Sequence, residues 1–277
     1  LVLGEKNGFH VLASETCALD MIGAKYIRDI ENGEIVVITD EGVESVKPFK
    51  SVKARPCIFE RIYFASPESI VGGKTVYTYR KELGKQLALE NKINADVIVP
   101  IPDSGVSAAI GYSQESKIPF ELGIIRSHYV GRTFIEPSQS IRQFGVKLKH
   151  SVNKSCIENK RVILIDDSIV RGTTANKIVK MVFEAGAKEV HLGISCPPIK
   201  YPDFYGIDTP NFNELIASNN DINVMTKLVG ASSLFFLSLD GTYKAMGCEQ
   251  RNNKSPQFTD HCFTGDYPVE VTEFFKK

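Results

Sequence analysis

The 277-residue sequence has no excess of charge of either sign and no long apolar run. Its 33 basic and 33 acidic residues balance, so neither nucleic acid nor an anionic membrane is expected as a partner. Apolar runs such as residues 234–237 are far shorter than the roughly 20 residues that a membrane-spanning helix needs. We therefore expect a cytoplasmic protein with no membrane partner.

The six cysteines include no C-x-x-C pair. Scattered cysteines in a chain of this length are typical of reduced thiols and do not indicate a disulfide framework. Internal repeats and low-complexity segments are also missing. The composition, 43% hydrophobic and 24% charged, is that of an ordinary globular protein.

The first 54 residues differ in pattern from the rest. Short apolar strands separated by turns, with a helix predicted over residues 18–26, indicate a β-rich segment too small for a core of its own. The strand-like run LVLG at Leu1 predicts that the sequence is part of a longer protein. We predict domains at 1–54, 55–225 and 226–277, the last a segment that packs on the preceding two.

From about residue 55, apolar strands alternate with helices, which predicts a parallel sheet with helices on both faces. The predicted strands are 95–105 (including a turn), 120–126, 161–167, 189–195 and 232–238, and the predicted helices are 80–91, 106–116 and 174–185. Gly186 is predicted just after the end of the last helix. Thr209 is predicted to cap a further helix, with Pro210 at its first position.

Two carboxylates, Asp166 and Asp167, directly follow the apolar run VILI. In open α/β sheets ligands bind beyond the carboxyl ends of the strands, so both carboxylates are expected at a ligand site. The next turn, residues 168–174, leads into a helix whose first N–H groups and positive dipole favour a phosphate. Gly172 permits close approach of the backbone, and the hydroxyls of Thr173 and Thr174 add donors.

The carboxylates would repel that phosphate, so they must face another part of the ligand, either hydroxyls or Mg²⁺. Phosphoribosyl pyrophosphate has a phosphate at one end and hydroxyls with a metal-binding diphosphate at the other. The alternative is a strand, turn and helix in which Asp167 or Ser168 only caps the helix. Two carboxylates followed by RGTT at this spacing favour the ligand site.

The stretch VILIDDSIVRGTT is similar to the phosphoribosyl pyrophosphate motif of type I phosphoribosyltransferases. Further stretches over essentially the whole sequence resemble the glutamine phosphoribosylpyrophosphate amidotransferase family: ASETCALD, PCIFERIYFASPES, IPDSGVSAAIGY, PFELGIIRSHYVGRTFIEPSQ, FYGIDTP and CFTGDYP. The resemblance implies an α/β fold of the type I phosphoribosyltransferase kind, a mostly parallel sheet flanked by helices. A β-rich remnant of an N-terminal nucleophile glutaminase domain would precede it.

The resemblance implies transfer of phosphoribose from phosphoribosyl pyrophosphate to ammonia, giving 5-phosphoribosylamine, the first committed step of purine biosynthesis. Asp166 and Asp167 would hold ribose hydroxyls and, with Ser104, Mg²⁺. The pyrophosphate loop would consist of Asp103, Ser104, Gly105 and Val106. The turn that binds the 5′-phosphate would consist of Ser168, Ile169, Val170, Arg171, Gly172, Thr173 and Thr174.

The stretch 126–134, RSHYVGRTF, would be a lid that closes over the substrate. Arg126 and Arg132 can neutralise a leaving pyrophosphate, and Tyr129 lies between them in the sequence. Residues 127–145 are polar and without period, and we expect them to be mobile without substrate. The alternative is a solvated surface loop.

Two departures from the family limit what the resemblance implies. The family hydrolyses glutamine with a cysteine at the mature amino terminus, and no cysteine here has that context, so glutamine hydrolysis is not expected from these residues. One branch of the family carries a [4Fe–4S] cluster on four cysteines. Cys57 and Cys262 stand at two of those positions, but Asp203 and Thr259 stand at the others, so no iron–sulfur cluster is expected.

The resemblance also implies purine nucleotides as feedback inhibitors and a homodimer or homotetramer. Two other functions stay open: a purine-salvage phosphoribosyltransferase, and a regulatory module that binds phosphoribosyl pyrophosphate or nucleotides without catalysis. The run YVGRTFI and the closing stretch favour the amidotransferase family over salvage enzymes. The intact lid sequence favours an enzyme.

Overall fold

A computed structural model describes residues 1–127, 150–207, 209 and 211–271. The chain forms two compact units, the first comprising Leu1–Tyr79, Asn252–Thr259 and the residues from Pro268, and the second comprising Arg80–Arg251 and Asp260–Tyr267. The boundaries expected at 54/55 and 225/226 stay predictions. Among the described residues no helix is both long and apolar enough to cross a membrane.

Antiparallel strands dominate the first unit. Its elements are β1 (Val2–Lys6), β2 (Phe9–Ala13), α1 (Thr16–Ile22), β3 (Lys25–Asp29), β4 (Ile35–Thr39), β5 (Gly42–Val46), a π-helical turn (Glu60–Phe64), β6 (Ile70–Val71) and β7 (Lys74–Thr75). β1 lies between β2 and β3, and β4 pairs with β5. These antiparallel strands confirm the predicted β-rich segment. Val2, Leu19 and Ala24 form a small buried cluster within it.

The helix predicted over residues 18–26 is wrong at both ends. α1 begins at Thr16 and ends at Ile22, because Gly23 adopts the left-handed conformation that terminates helices, with φ of 67°. Lys25 then begins β3, which pairs with β1, so Tyr26 lies in a strand. Pairing across the sheet outweighs the local apolar pattern here.

The core of the second unit is a four-stranded parallel sheet in the order β13-β12-β11-β8. Its strands are β8 (Val97–Pro100), β11 (Arg161–Asp166), β12 (Glu189–Ile194) and β13 (Ser233–Phe236), and a separate antiparallel pair is formed by β9 (Ile124–Arg126) and β10 (His150–Val152). Residues 162–165 of β11 are completely buried, as expected for a strand covered on both faces. The predicted parallel sheet is confirmed.

Apart from the first of them, the helices of the second unit follow its strands along the chain. They are α2 (Val76–Glu90), in which the boundary between the units falls, α3 (Val106–Ser116), α4 (Lys154–Ile157), α5 (Thr173–Glu184), α6 (Ile216–Asn219), α7 (Ile222–Val229), α8 (Leu239–Ala245) and α9 (His261–Thr264), with a 3₁₀ turn at Phe212–Glu214. α3 packs on β8 and β11, and α5 packs on β12 and α7. Gly186 has φ of 95° just beyond α5, as predicted.

The helix cap predicted at Thr209 is wrong. The hydroxyl of Thr209 accepts a hydrogen bond from the backbone N–H of Asp203, at 2.7 Å. The 3₁₀ turn begins after Asn211, and α6 begins only at Ile216. Pro210 lies outside the described residues.

Candidate phosphate and carboxylate site

Asp166 and Asp167 lie at the carboxyl end of β11, the second strand from one edge of the sheet. The neighbouring strands continue around this end: the N–H of Ser195 donates to the carbonyl of Asp166 at 2.9 Å, and the N–H of Ile101 donates to that of Ile165 at 2.8 Å. The loop after β8 and the turn after β11 therefore lie side by side. This is the edge at which parallel sheets bind ligands.

The two carboxylates are held in different ways. Oδ1 of Asp166 accepts from the hydroxyl of Ser104 at 3.3 Å and from the N–H of Asp167 at 2.9 Å. Asp167 is only 5% exposed, and its Oδ2 accepts from the hydroxyl of Ser168. Burial, and next the charge of Asp167, raise the pKa of Asp166 well above its usual value. A cation or hydroxyl donor would relieve this repulsion.

The turn between β11 and α5 brings backbone N–H groups to the same edge. Gly172, with φ of 77°, occupies the position before α5 and has no side chain to cap the helix. Thr173 and Thr174 are exposed in the first turn, while Ile169 is 4% exposed and anchors the turn in the core. A helix start without a side-chain cap is suited to bind an anion.

The loop after β8 carries the predicted pyrophosphate-binding residues. The Pro102–Asp103 peptide bond is cis. The N–H of Gly105 donates to the carbonyl of Ile101 at 3.0 Å, and that of Val106, which begins α3, donates to Asp103 at 3.3 Å. A side chain at Gly105 would collide with the carbonyl oxygen of Ile165, so glycine is required for this close approach to β11.

Arg126, at the end of β9, forms an ion pair with Asp103. The arginine side chain is 42% exposed and the carboxylate 63%, so the pair lies in solvent at the rim of the loop. Of the three residues predicted in the lid, Arg126 is thereby placed beside the other candidates. Tyr129 and Arg132 lie outside the described residues, as does nearly all of the segment expected to be mobile.

The four positions that correspond to cluster cysteines are divided between the units, with Cys57 and Thr259 in the first and Asp203 and Cys262 in the second. In the second unit Asp203 and His261 are buried and joined by a 2.7 Å hydrogen bond between Oδ2 and Nε2, and Cys262 is 5% exposed. In the first unit Thr259 bridges to Cys57, and its hydroxyl donates to the carbonyl of Arg55 at 2.6 Å. Within the ranges that the structure describes, no three His, Cys, Asp or Glu side chains are grouped to hold a metal.

Three residues near the site were not predicted there. Glu214 forms an ion pair with Arg171, with 2.7 Å between Oε2 and Nε. The N–H of Ile216 donates to the carbonyl of Val170 at 2.9 Å. Cys196 is buried after β12, and burial raises the pKa of its thiol well above the usual value. Sequence spacing gave no signal for these contacts, because Glu214 is 43 residues from its partner.

Residues 77–204 match the family model of the phosphoribosyl transferase domain. This range includes the loop 102–105, β11, both carboxylates and the turn 168–174. The fold, the two carboxylates at the end of the strand and the turn that follows them are those of a type I phosphoribosyltransferase. Together they define the second unit as a domain of that class.

Comparison over the whole chain is more specific. Amidophosphoribosyltransferase of Rhizobium etli is 58% identical over 99% of this chain and 56% of its own length, and that of Bacillus subtilis is 48% identical over 98% and 57%. A B. subtilis structure, glutamine phosphoribosylpyrophosphate amidotransferase complexed with ADP and GMP, covers 98% of this chain and 60% of its own with TM-score 0.90 and 47% identity. The chain belongs to the amidophosphoribosyltransferase family. It spans about half the length of the curated relatives it matches.

Proposed function

We propose that this chain transfers phosphoribose from phosphoribosyl pyrophosphate to ammonia, releasing pyrophosphate and 5-phosphoribosylamine, as in the first committed step of purine biosynthesis. One observation carries the proposal: the carboxylate pair at the end of β11, with Asp167 buried and Asp166 partly buried, lies between a phosphate-type turn and the loop of Ser104. The family membership supports it.

The two ends of the substrate match the two parts of the site. The 5′-phosphate is bound by backbone N–H groups of residues 168–174 and by the hydroxyls of Thr173 and Thr174. The ribose hydroxyls donate hydrogen bonds to Asp166 and Asp167. The pyrophosphate lies toward the loop 103–106, where Arg126 can exchange its Asp103 partner for a phosphate oxygen.

The oxygen donors of this site are suited to Mg²⁺. Asp166, Asp167 and Ser104 offer carboxylate and hydroxyl oxygens, the ligands that this cation prefers. Burial, and next the charge of Asp167, raise the pKa of Asp166, and this supports a place for positive charge nearby. When bound, Mg²⁺ would stabilise the charge on the diphosphate as it departs.

The reaction is a displacement at the anomeric carbon. The lone pair of ammonia forms the new carbon–nitrogen bond, and the bond to the pyrophosphate oxygen breaks with its electron pair on the leaving group. The new ammonium group then loses one proton to solvent, which gives the amine. Positive charge develops on the sugar, and the two aspartates stabilise it while holding the ring in place. Arg126 and, by resemblance, Arg132 would neutralise the leaving group, and by resemblance a lid that contains Tyr129 would exclude water.

The test of this function is pyrophosphate release from phosphoribosyl pyrophosphate and Mg²⁺ with ammonia, with a purine base or with neither. We expect release that depends on ammonia. Release that depends on the base would support salvage, and binding without release would support a regulatory module. Either result would contradict the proposal.

The remaining parts of the proposal concern regulation and setting. The B. subtilis relative was solved with ADP and GMP, which supports purine nucleotides as proposed regulators of this chain. The homodimer or homotetramer and the cytoplasmic location stay predictions. So does the absence of glutamine hydrolysis by these residues.

A further inference from the structure

The phosphate turn is in contact with a segment that no motif marks. This brace, defined here as residues 212–219, includes the 3₁₀ turn and α6. Its Ile216 donates a backbone hydrogen bond to Val170 at 2.9 Å, and Cδ1 of Ile216 lies 2.7 Å from where a Cβ of Gly172 would stand. Its Glu214 forms the 2.7 Å ion pair with Arg171. Three successive residues of the turn are therefore each held by the brace.

The ion pair differs from the other two contacts in its exposure. The side chains of Arg171 and Glu214 are 53% and 47% exposed, and such pairs contribute little to the stability of a fold. Removing the pair should therefore leave the protein folded. Its effect would be on the conformation of the turn, whose backbone N–H groups must point at one phosphate.

We propose that Glu214 is a positioning residue for the substrate's 5′-phosphate, an inference that rests on the proposed function. Glu214 holds the side chain of Arg171, and Ile216 holds the backbone on either side of it. The turn is then already arranged for phosphate before the ligand arrives. A binding loop ordered in advance loses less conformational entropy on binding, which raises affinity.

A different role for the same pair leads to the opposite result. If Arg171 contacted the phosphate itself, Glu214 would compete with the ligand for the guanidinium. Replacing Glu214 with Gln would then strengthen phosphate binding, whereas the positioning role requires that it weaken. In the positioning role the two residues act as one unit, so the double variant should lose no more affinity than either single variant.

The experiment is a double-mutant cycle of Arg171→Gln and Glu214→Gln, with binding of ribose 5-phosphate and of inorganic pyrophosphate measured by calorimetry. We expect each single variant and the double variant to weaken ribose 5-phosphate binding alike, by about twofold to fivefold, the range that an exposed ion pair can contribute. Pyrophosphate, which binds at the other end, should bind unchanged. Glu214→Gln should raise KM for phosphoribosyl pyrophosphate with little change in kcat.

The matched control is Glu184→Gln, which removes the exposed Lys180–Glu184 pair from the far end of α5 and should change neither affinity. Tighter or unchanged ribose 5-phosphate binding in Glu214→Gln, or additive losses in the double variant, would overturn the inference and leave the proposed function intact. Wild type that binds ribose 5-phosphate but releases no pyrophosphate with ammonia would refute the function and leave the inference standing. Wild type that binds no ribose 5-phosphate would refute the inference.

Discussion

At the scale of single residues, the proposed function depends on two adjacent carboxylates whose negative charges repel each other when no ligand is bound. Asp166 is pressed toward its protonated form by burial and by Asp167, while Ser104 and Ser168 donate the hydrogen bonds that hold the pair. Groups destabilised in this way are found more often at binding sites than in structural cores. Two predictions separate their functional role from their structural one.

Asp167→Asn should lower the rate of ammonia-dependent pyrophosphate release by roughly a hundredfold or more, since one charge that stabilises the transition state is removed. The measurement is steady-state kinetics with saturating Mg²⁺. The matched control is Asp96→Asn, which removes the exposed ion pair with Arg161 at the opposite end of β11. Near-normal turnover in Asp167→Asn would show that this carboxylate is not at the reacting centre.

Asp166→Asn should stabilise the metal-free fold at neutral pH while abolishing activity. The pKa of Asp166 is raised in the folded state. Between the usual pKa of 3.8 and this raised pKa, the folded protein therefore binds more protons than the unfolded one. Its stability falls as the pH rises through this range. Asparagine is neutral throughout and avoids the loss. A gain of about 1 kcal/mol in the free energy of unfolding would raise Tm by roughly 2–4 °C in a domain of this size.

The measurement for Asp166→Asn is Tm against pH with a chelator present, as the difference between variant and wild type. That difference should be near zero at pH 3.5 and should grow toward pH 7.5. A variant with lower Tm than wild type at neutral pH would refute the burial argument.

At the scale of elements, the close approach of the loop 102–105 to β11 makes Gly105 critical. Gly105→Ala would push the loop away from the strand, which should cost about 1–3 kcal/mol of stability. A displacement of the loop by about 1 Å should also lower kcat/KM by roughly a hundredfold. Thermal unfolding and kinetics on the same preparation check both effects.

Gly84→Ala is the matched control for Gly105→Ala. A side chain at Gly84, in α2, would collide with the carbonyl of Ala108 in α3, away from the carboxylates. It should destabilise the fold to a similar degree while kcat/KM at low temperature changes little. Equal kinetic losses in both variants would mean that the loop geometry has no special role.

The elements of the second unit could be predicted closely, and some contacts of the site could not. α3 and β11 follow from apolar periods and from turn residues such as Gly105, which are local in the sequence. Tyr26 was misplaced because its strand is specified by pairing with β1, which is remote in the sequence. The brace was missed for the same reason, since only folding brings Glu214 to Arg171.

At the scale of the whole molecule, positions in both units bear on whether the chain holds an iron–sulfur cluster. Cys57 and Cys262 supply two thiolates, and Thr259 donates its hydroxyl to a backbone carbonyl. The carboxylate of Asp203 already forms a hydrogen bond with the imidazole of His261. Since a [4Fe–4S] cluster is ordinarily held by four thiolates, we predict that the protein has none.

Iron and acid-labile sulfide in anaerobically purified protein measure this directly, together with the visible absorption spectrum. We expect no stoichiometric iron and no broad thiolate-to-iron band, and reconstitution with iron and sulfide serves as the control. Stoichiometric iron with sulfide in fresh protein would contradict the prediction and would require replacement ligands.

The central claim, that the end of β11 binds phosphoribosyl pyrophosphate, is tested most directly by a crystal structure of the chain with that ligand and Mg²⁺. We predict the 5′-phosphate at the backbone N–H groups between Ser168 and Thr174 and the ribose hydroxyls at Asp166 and Asp167. The diphosphate should lie toward Ser104. A ligand bound elsewhere, or bound here with its ribose away from both carboxylates, would contradict the account.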